Sequence, residues 1–323
     1  MSNSKIIGIG AYAPENIVTN KMLQSLVDTS DEWIKTRTGI EKRSITIDEE
    51  TSDLAVKASK IAIKNAKISA KDIDMIIVAT ITPDTFTPST ACVVQKKLEA
   101  INACAFDINA ACTGFIYGLK VADSFIRSGE FKNILIIGAE TLSKVLNWND
   151  RGTCVLFGDG AGAVVVTATN NEGIKAIEIK SDGNKGDVLT IGGAPLNNPF
   201  NKNEKILEQY IKMNGREVFK FATKAMEESI LNVLERSNSS LDKIKHIIPH
   251  QANLRIIDYV SKKLNIASDK FIINLDKYGN TSSASIPIAL YEAYKQKKIT
   301  FGDEVILVGF GGGLTWGSAL IKL

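Results

Sequence analysis

Histidine is scarce in this 323-residue chain: only His246 and His250 occur. Cysteine is sparse too, at positions 92, 104, 112 and 154, and no pair has Cys-x-x-Cys spacing. A zinc-finger reading therefore has no support. Pro249 stands between the two histidines and no helical face runs through them, which excludes a His-Glu-x-x-His metal helix. No metal site is expected. An excess of one charge is also missing. Lys and Arg number 39 against 36 Asp and Glu, a net +3, too little to imply a nucleic-acid partner. No apolar run approaches the ~20 residues that span a bilayer, so no membrane partner is expected. The polar start, residues 1–5, leads straight into a strand-like segment and predicts no signal peptide. Unpaired cysteines suit a reducing, cytoplasmic setting.

Hydrophobic residues make up 44% and charged residues 23%, an ordinary globular balance. At roughly 150 residues per domain, the length suggests two domains or one duplicated unit. Strands are predicted at 5–10, 75–80, 105–108, 134–139, 161–167, 177–181, 244–248, 271–274, 305–310 and 318–321. Many are continuous Ile/Val runs, as in strands covered on both faces. Helices are predicted at 53–65, 90–98, 113–128, 215–236, 254–264 and 283–296. Alternating strands and helices predict an α/β fold with mixed sheets.

The order also repeats. In the first half a helix is followed by Ser69-Ala-Lys-Asp-Ile-Asp-Met-Ile-Ile-Val-Ala-Thr80. In the second a helix is followed by Ser240-Leu-Asp-Lys-Ile-Lys-His-Ile-Ile-Pro-His-Gln251. Residues 131–138 and 301–309 match near the same offset, and 158–166 resembles 313–321 at a shorter one. Two similar halves are expected, 1–171 and 172–323, packed as one unit without a linker.

Cys112 stands in Phe106-Asp-Ile-Asn-Ala-Ala-Cys-Thr-Gly-Phe115, at a strand-to-helix turn. A helix N-terminus favours an anion and is expected to lower the thiol pKa. The bland alternative is a buried structural cysteine. Cys92, Cys104 and Cys154 are assigned to the core. His250 follows an apolar strand, where α/β folds place ligand sites. It is either a ring donor or base, or a hydrogen-bonded loop residue; His246, inside the strand, reads as structural. Asn253 either caps the helix after it or has a functional role. Asn280, in Lys277-Tyr-Gly-Asn-Thr-Ser-Ser-Ala284, is a turn residue or cap by itself. In the duplicated alignment the Gly279/Asn280 region falls opposite Cys112. Gly309-Phe-Gly-Gly-Gly-Leu-Thr-Trp316 offers bare backbone N–H donors for an oxyanion, or is simply a sharp turn. Neither it nor Gly8-Ile-Gly10 reads as a dinucleotide fingerprint.

Taken together these segments resemble the thiolase-fold condensing enzymes, and among them the β-ketoacyl-acyl-carrier-protein synthase III family. The resemblance covers nearly the whole chain. It includes Thr29-Ser-Asp-Glu-Trp-Ile-Lys-Thr-Arg-Thr-Gly-Ile40, Ala110-Ala-Cys-Thr-Gly-Phe115 and Asn147-Trp-Asn-Asp-Arg-Gly-Thr-Cys154. It continues through Phe157-Gly-Asp-Gly-Ala-Gly-Ala163, Pro249-His-Gln-Ala-Asn253, Tyr278-Gly-Asn-Thr-Ser282 and 309–318. It implies a thiolase-like duplicated fold layered α-β-α-β-α, and a homodimer.

The resemblance also implies a decarboxylative condensation of acyl-CoA, acetyl-CoA by default, with malonyl-acyl carrier protein. No cofactor is needed, since CoA arrives as part of the substrate. Its catalytic set would be Cys112, His250 and Asn280, with the backbone of Cys112 and Gly312 as oxyanion donors. CoA would be held by Trp33, Arg37, Arg151, Gly215, Phe219, Ala252 and Asn253. The acidic carrier protein would meet Lys220, Arg255, Lys262 and Lys263. Thr87 stands where many relatives carry Phe, a site that shapes the acyl pocket across the dimer interface, and a smaller side chain would admit a longer or branched primer. Arg216 near the tunnel mouth is a second departure. Three other readings compete with this one: a condensing enzyme of polyketide- or quinolone-type metabolism, a non-catalytic acyl-binding subunit, and a papain-like hydrolase.

Overall fold

The structure, a computed structural model, describes residues 3–200 and 209–323; Met1 and Ser2 of the polar start lie outside them. The first half runs β1 (Asn3–Tyr12), β2 (Ile17–Thr19), α1 (Asn20–Leu23), α2 (Asp31–Thr38), β3 (Lys42–Ser44), α3 (Thr51–Ala66) and β4 (Met75–Ala79). It continues α4 (Thr90–Leu98), β5 (Cys104–Ile108), α5 (Gly114–Ser128), β6 (Asn133–Glu140) and β7 (Gly160–Thr169). The second runs β8 (Ile174–Ser181), β9 (Leu189–Thr190), β10 (Lys212–Met213), α6 (Gly215–Arg236), β11 (His246–Pro249) and α7 (Leu254–Lys263). It ends with α8 (Leu275–Tyr278), α9 (Ser285–Lys295), β12 (Glu304–Gly311) and β13 (Thr315–Lys322).

Each half builds one mixed sheet. The first has the order β1-β7-β6-β4-β5 and the second β11-β12-β13-β8. β4, β6, β7 and β1 correspond to β11, β12, β13 and β8, with the same parallel and antiparallel pairings. The starts of β1 and β8, β4 and β11, β6 and β12, and α5 and α9 are all separated by one interval, the same that separates Ser69 from Ser240. The fifth strand of the second sheet, predicted at 271–274, is reduced to a single bridge between Ile247 and Phe271.

The layers are α-β-α-β-α. Helices α5 and α9 lie between the sheets and touch strands of both; α3 and α4 cover the first sheet, α6 and α7 the second. β4 and the central stretch of β6 are buried on both sides, as their unbroken Ile/Val runs require. Phe115, Ile116 and Leu119 of α5 join Ile286 and Leu290 of α9 in the inter-sheet core. Burial of such side chains contributes about 1.5–3 kcal/mol each. Gly8 and Gly10 serve packing: a Cβ on either would lie within 2.3 Å of a carbonyl oxygen of α3.

Cys92 and Cys104, assigned to the core by sequence, are exposed, whereas Cys154 is buried. The reason is topological. β5 is the sheet edge, paired only to β4, so the outer sides of α4 and β5 carry no further layer. The elements β2, β3, α1 and α8 are too short to give a periodic signal and are absent from the sequence prediction. So is α2, although its signals are plain in retrospect. Ser30 caps its start by accepting from Trp33 N at 3.0 Å, and Gly39 ends it with φ 82°.

Candidate active site

β5 ends at Ile108, and a 3-10 turn, Ala111–Thr113, leads into α5. Cys112 sits in that turn, 5% exposed. It lies where two cavities meet. The smaller, about 130 Å³, is also lined by His250, Asn280, Phe310 and Gly311. The larger, about 640 Å³, is also lined by Ser282, Gly312, Thr80, Asp107 and Phe86. Gly311 makes the approach feasible: a Cβ there would fall 2.7 Å from the Cys112 nitrogen. The expected lowering of the thiol pKa is not what the site produces. Burial pushes the thiol up to about 12, and the Ser282 hydroxyl opposes this. The helix start faces a sulfur already stripped of water, so desolvation outweighs the dipole.

His250 follows β11, and its backbone N–H donates to Val308 O at 2.8 Å. The ring is buried edge-on to Phe310, centroids 5.1 Å apart. Burial pulls its pKa down to about 3, so the imidazole is neutral. Nδ1 lies 2.6 Å from Ser285 Oγ, which also accepts from Gln251 N at 3.4 Å. The arrangement that uses the one Ser285 proton sends it to Nδ1, leaving Nε2 with the ring hydrogen. His246, by contrast, sets its Nδ1 3.2 Å from Lys270 O, a structural role as expected.

Asn280 is fixed on three sides. Its N–H donates to Leu156 O at 2.8 Å, and its carbonyl accepts from Gly158 N at 3.0 Å. Its Oδ1 accepts from Ser282 N at 2.9 Å, which turns Nδ2 to the cavity. Cys112, His250 and Asn280 thus reach one cavity from three loops in two halves. The register of the repeat corrects the expected alignment, however. Cys112 corresponds to Ser283, and Asn280 corresponds to Asn109, because the turns Ala111–Thr113 and Ser282–Ala284 are the equivalent pair.

Gly215, Phe219, Ala252 and Asn253 line the smaller cavity. Asn253 does double service: its Oδ1 caps α7 at Arg255 N (2.9 Å), and its Nδ2 donates to Arg37 O (3.1 Å). Trp33, Arg37 and Arg151 form one cluster. The Arg37 and Arg151 guanidinium carbons lie 4.9 and 5.2 Å from the Trp33 ring centre. Lys220, Arg255, Lys262 and Lys263 are exposed, as is Arg216; Lys220 pairs with Glu217 at 2.8 Å. Thr87 is exposed and lines neither cavity of its own chain, whereas neighbouring Phe86, 86% exposed, lines the larger. Among the described residues no cluster of three or more His, Cys, Asp or Glu is placed to hold a metal ion. No described helix is long and apolar enough to cross a membrane.

Sequence reasoning missed the layer behind the sulfur. Glu140, at the end of β6, is fully buried. Its Oε2 accepts from Thr82 Oγ1 at 2.6 Å and from Thr80 Oγ1 and Ile81 N, each at 3.1 Å. Ser283 Oγ lies 2.7 Å from Ala79 O and 2.9 Å from Glu140 Oε1. A hydroxyl has one proton and a carbonyl can only accept, so the Ser283–Glu140 contact is completed by a proton on Oε1. Burial, which raises the Glu140 pKa, agrees with a neutral acid. A glutamate closing an apolar strand was the available signal.

A duplicated five-layer fold with a buried thiol, a neutral imidazole and an amide donor around one cavity defines the thiolase-fold condensing enzymes. Comparison with known proteins narrows this. Profiles for the C-terminal region of 3-oxoacyl-[acyl-carrier-protein] synthase III and for 3-oxoacyl-[acyl-carrier-protein] synthase III match residues 234–323 and 106–183. A β-ketoacyl-[acyl-carrier-protein] synthase III of Clostridium perfringens is 65% identical, with 100% of both chains covered. The 3-oxoacyl-[acyl-carrier-protein] synthase III of Aquifex aeolicus superposes with TM-score 0.93 at 49% identity, covering 99% of this chain and 100% of that one. The priming β-ketosynthase of the R1128 polyketide pathway gives 0.91 at 32%, covering 99% and 96%. The chain belongs to the β-ketoacyl-[acyl-carrier-protein] synthase III family, and it is a condensing acyltransferase.

Proposed function

We propose that this chain starts fatty-acid synthesis by condensing an acyl-CoA with malonyl-acyl carrier protein, through an acyl group carried on Cys112. The observation that carries the reading is the single cavity shared by Cys112, His250 and Asn280 and continuous with Gly215, Phe219, Ala252 and Asn253. The Cys112 sulfur attacks the thioester carbonyl, the bond to the CoA sulfur breaks, and the Cys112 proton passes to that departing sulfur. Backbone N–H groups of Cys112 and Gly312 hold the oxyanion. Malonyl-carrier protein then loses carbon dioxide. The electron pair goes to an enolate, which the His250 and Asn280 N–H donors stabilise. The enolate carbon bonds to the acyl carbon, and the Cys112 sulfur leaves as a thiolate and takes a proton from solvent. A neutral His250 suits this step: it donates without clamping the malonyl carboxylate as a cation would.

Trp33 and Arg151 would take the CoA base between them, with Arg37 near its phosphates. The exposed Lys220, Arg255, Lys262 and Lys263 would attract the acidic carrier. The division at 171/172 follows the recurrence of strand starts. A homodimer is supported by the edge strand β5, whose Phe106 and Ile108 are only partly covered. In that dimer Thr87 would border the partner's acyl pocket, and with the larger cavity it would admit primers beyond acetyl. The reading needs no cofactor, nucleic acid or membrane, and a cytoplasmic location suits four free cysteines.

Incubation with acetyl-, branched and longer acyl-CoAs plus malonyl-carrier protein, with product masses, tests the reading. A β-ketoacyl-carrier protein is expected. Products formed only from malonyl-CoA would favour the polyketide-type alternative, and hydrolysis without condensation would sink the proposal.

A further inference from the structure

Ser282 is completely buried, lies beside Cys112 on the wall of the larger cavity, and has a strained backbone with φ 49°. Its hydroxyl faces Cys112 and Glu140 closely enough to favour the charged form of each. Yet it makes no hydrogen bond of normal geometry to any group. A buried hydroxyl without a partner is costly. Its backbone N–H, meanwhile, is held by Asn280 Oδ1, so the residue is fixed while its hydroxyl is free.

We propose that Ser282 is a further catalytic residue, whose hydroxyl donates to the Cys112 sulfur as that sulfur gains negative charge, with Glu140 held behind it as a neutral acid. The inference rests on Cys112 being the nucleophile. Three features carry it. The resting thiol needs no donor, so the hydroxyl is orphaned there; a thiolate does need one. Glu140 already completes its contacts with Thr80, Thr82, Ile81 and Ser283, so Ser282 is not needed to satisfy it. The other titratable groups nearby are His250 across the smaller cavity and Asp107 on the larger one. Asp107 already accepts from Thr90 N and Ala91 N, both at 2.7 Å. Ser282 thus offers, beside Cys112 on the larger cavity, a buried side-chain donor without a partner.

The fold supplies a clean variant. Ala111, the counterpart of Ser282 in the first half, has φ 46° in the equivalent turn, so alanine is accommodated in this conformation. Glycine favours it further. The experiment is peptide-resolved mass spectrometry of iodoacetamide labelling from pH 7 to 10 in wild type, Ser282→Ala and Ser282→Gly. Labelling of Cys112 should slow about tenfold at each pH in both variants, the loss expected for one hydrogen bond to a charged group. Cys92 and Cys104 lie on or beside the β5 edge, far from the substituted turn, so their labelling in the assembled protein should be the same in all three forms, as internal controls. Unchanged Cys112 labelling in either folded variant overturns the assignment. A wild-type Cys112 that stays unlabelled up to pH 10 while free glutathione in the same reaction is alkylated would instead overturn the nucleophile reading beneath it.

Discussion

Gly311 and Glu140 stand at equivalent positions in the two halves, as the last residues of β12 and β6. Each backs a turn from the opposite half. Gly311 leaves room for Cys112, and Glu140 binds Ser283, the residue equivalent to Cys112. One repeated frame thus holds a buried thiol in one seat and a hydrogen-bonded hydroxyl in the other.

Adding a methyl group at Gly311 should disable the first seat. The new Cβ would lie 2.7 Å from Cys112 N and 3.1 Å from Cys112 Cβ. Gly311→Ala should cut acylation of Cys112 by roughly 100-fold, the scale of an ångström-sized misplacement. Acyl-enzyme formation by mass spectrometry reads this directly; an undiminished rate would show that the turn relaxes.

At the second seat the prediction concerns stability. Glu140→Ala strands the donors of Thr80, Thr82 and Ile81 and should cost at least about 3 kcal/mol. Glu140→Gln keeps an acceptor and a donor where the neutral acid has them, and should recover most of the loss in urea titrations. Equal losses for both variants would mean that the carboxyl is ionised.

The half-reactions should separate at Asn280. With Nδ2 gone, Asn280→Ala loses the proposed enolate donor, and condensation should fall by about 100-fold. Acyl-Cys112 should still accumulate. Intact condensation would remove Asn280 from its proposed role.

His250 should make the protein sensitive to acid. Its folded pKa is about 3 against about 6.5 for an unfolded histidine. Between those values the unfolded chain binds the extra proton, so stability rises with pH and is lost as pH falls below about 6.5. The contribution is at most about 1.4 kcal/mol per pH unit. Denaturant midpoints of wild type and His250→Asn should converge from pH 7 to pH 4; parallel curves would show that the ring is not kept neutral.

In the cluster with Arg37 and Arg151, Trp33→Ala should raise KM for acetyl-CoA roughly tenfold with little change in kcat. An acyl-pantetheine lacking the nucleotide should show no such change. Equal effects on both substrates would place Trp33 in fold support alone.

Much of the architecture is legible in the sequence because buried strands announce themselves. Residues 75–79 and 134–139 are apolar on both faces, and their echoes in the second half, β11 and β12, reveal the duplication. The motifs around Cys112, His250 and Asn280 sit at strand or helix ends, where chain reversals leave Gly, Asn and Pro signatures. Other properties depend on the packing of distant segments. The upward push on the Cys112 thiol comes from burial beneath β12, which no local motif encodes. The exposure of Cys92 and Cys104 follows from β5 being outermost, a fact of strand order. Glu140 and Ser282 read as an ordinary strand end and an ordinary turn until the halves are docked.

The two chambers that meet at Cys112 differ about fivefold in volume, 640 against 130 Å³. On the proposed reading, a thioester broken at their junction would be sorted by its parts. The acyl tail would take the roomy compartment while the outgoing and incoming pantetheine arms took turns in the narrow corridor. Tail length and carrier exchange would then draw on separate space, so that selection for a bulkier starter could proceed by remodelling one compartment without slowing traffic through the other.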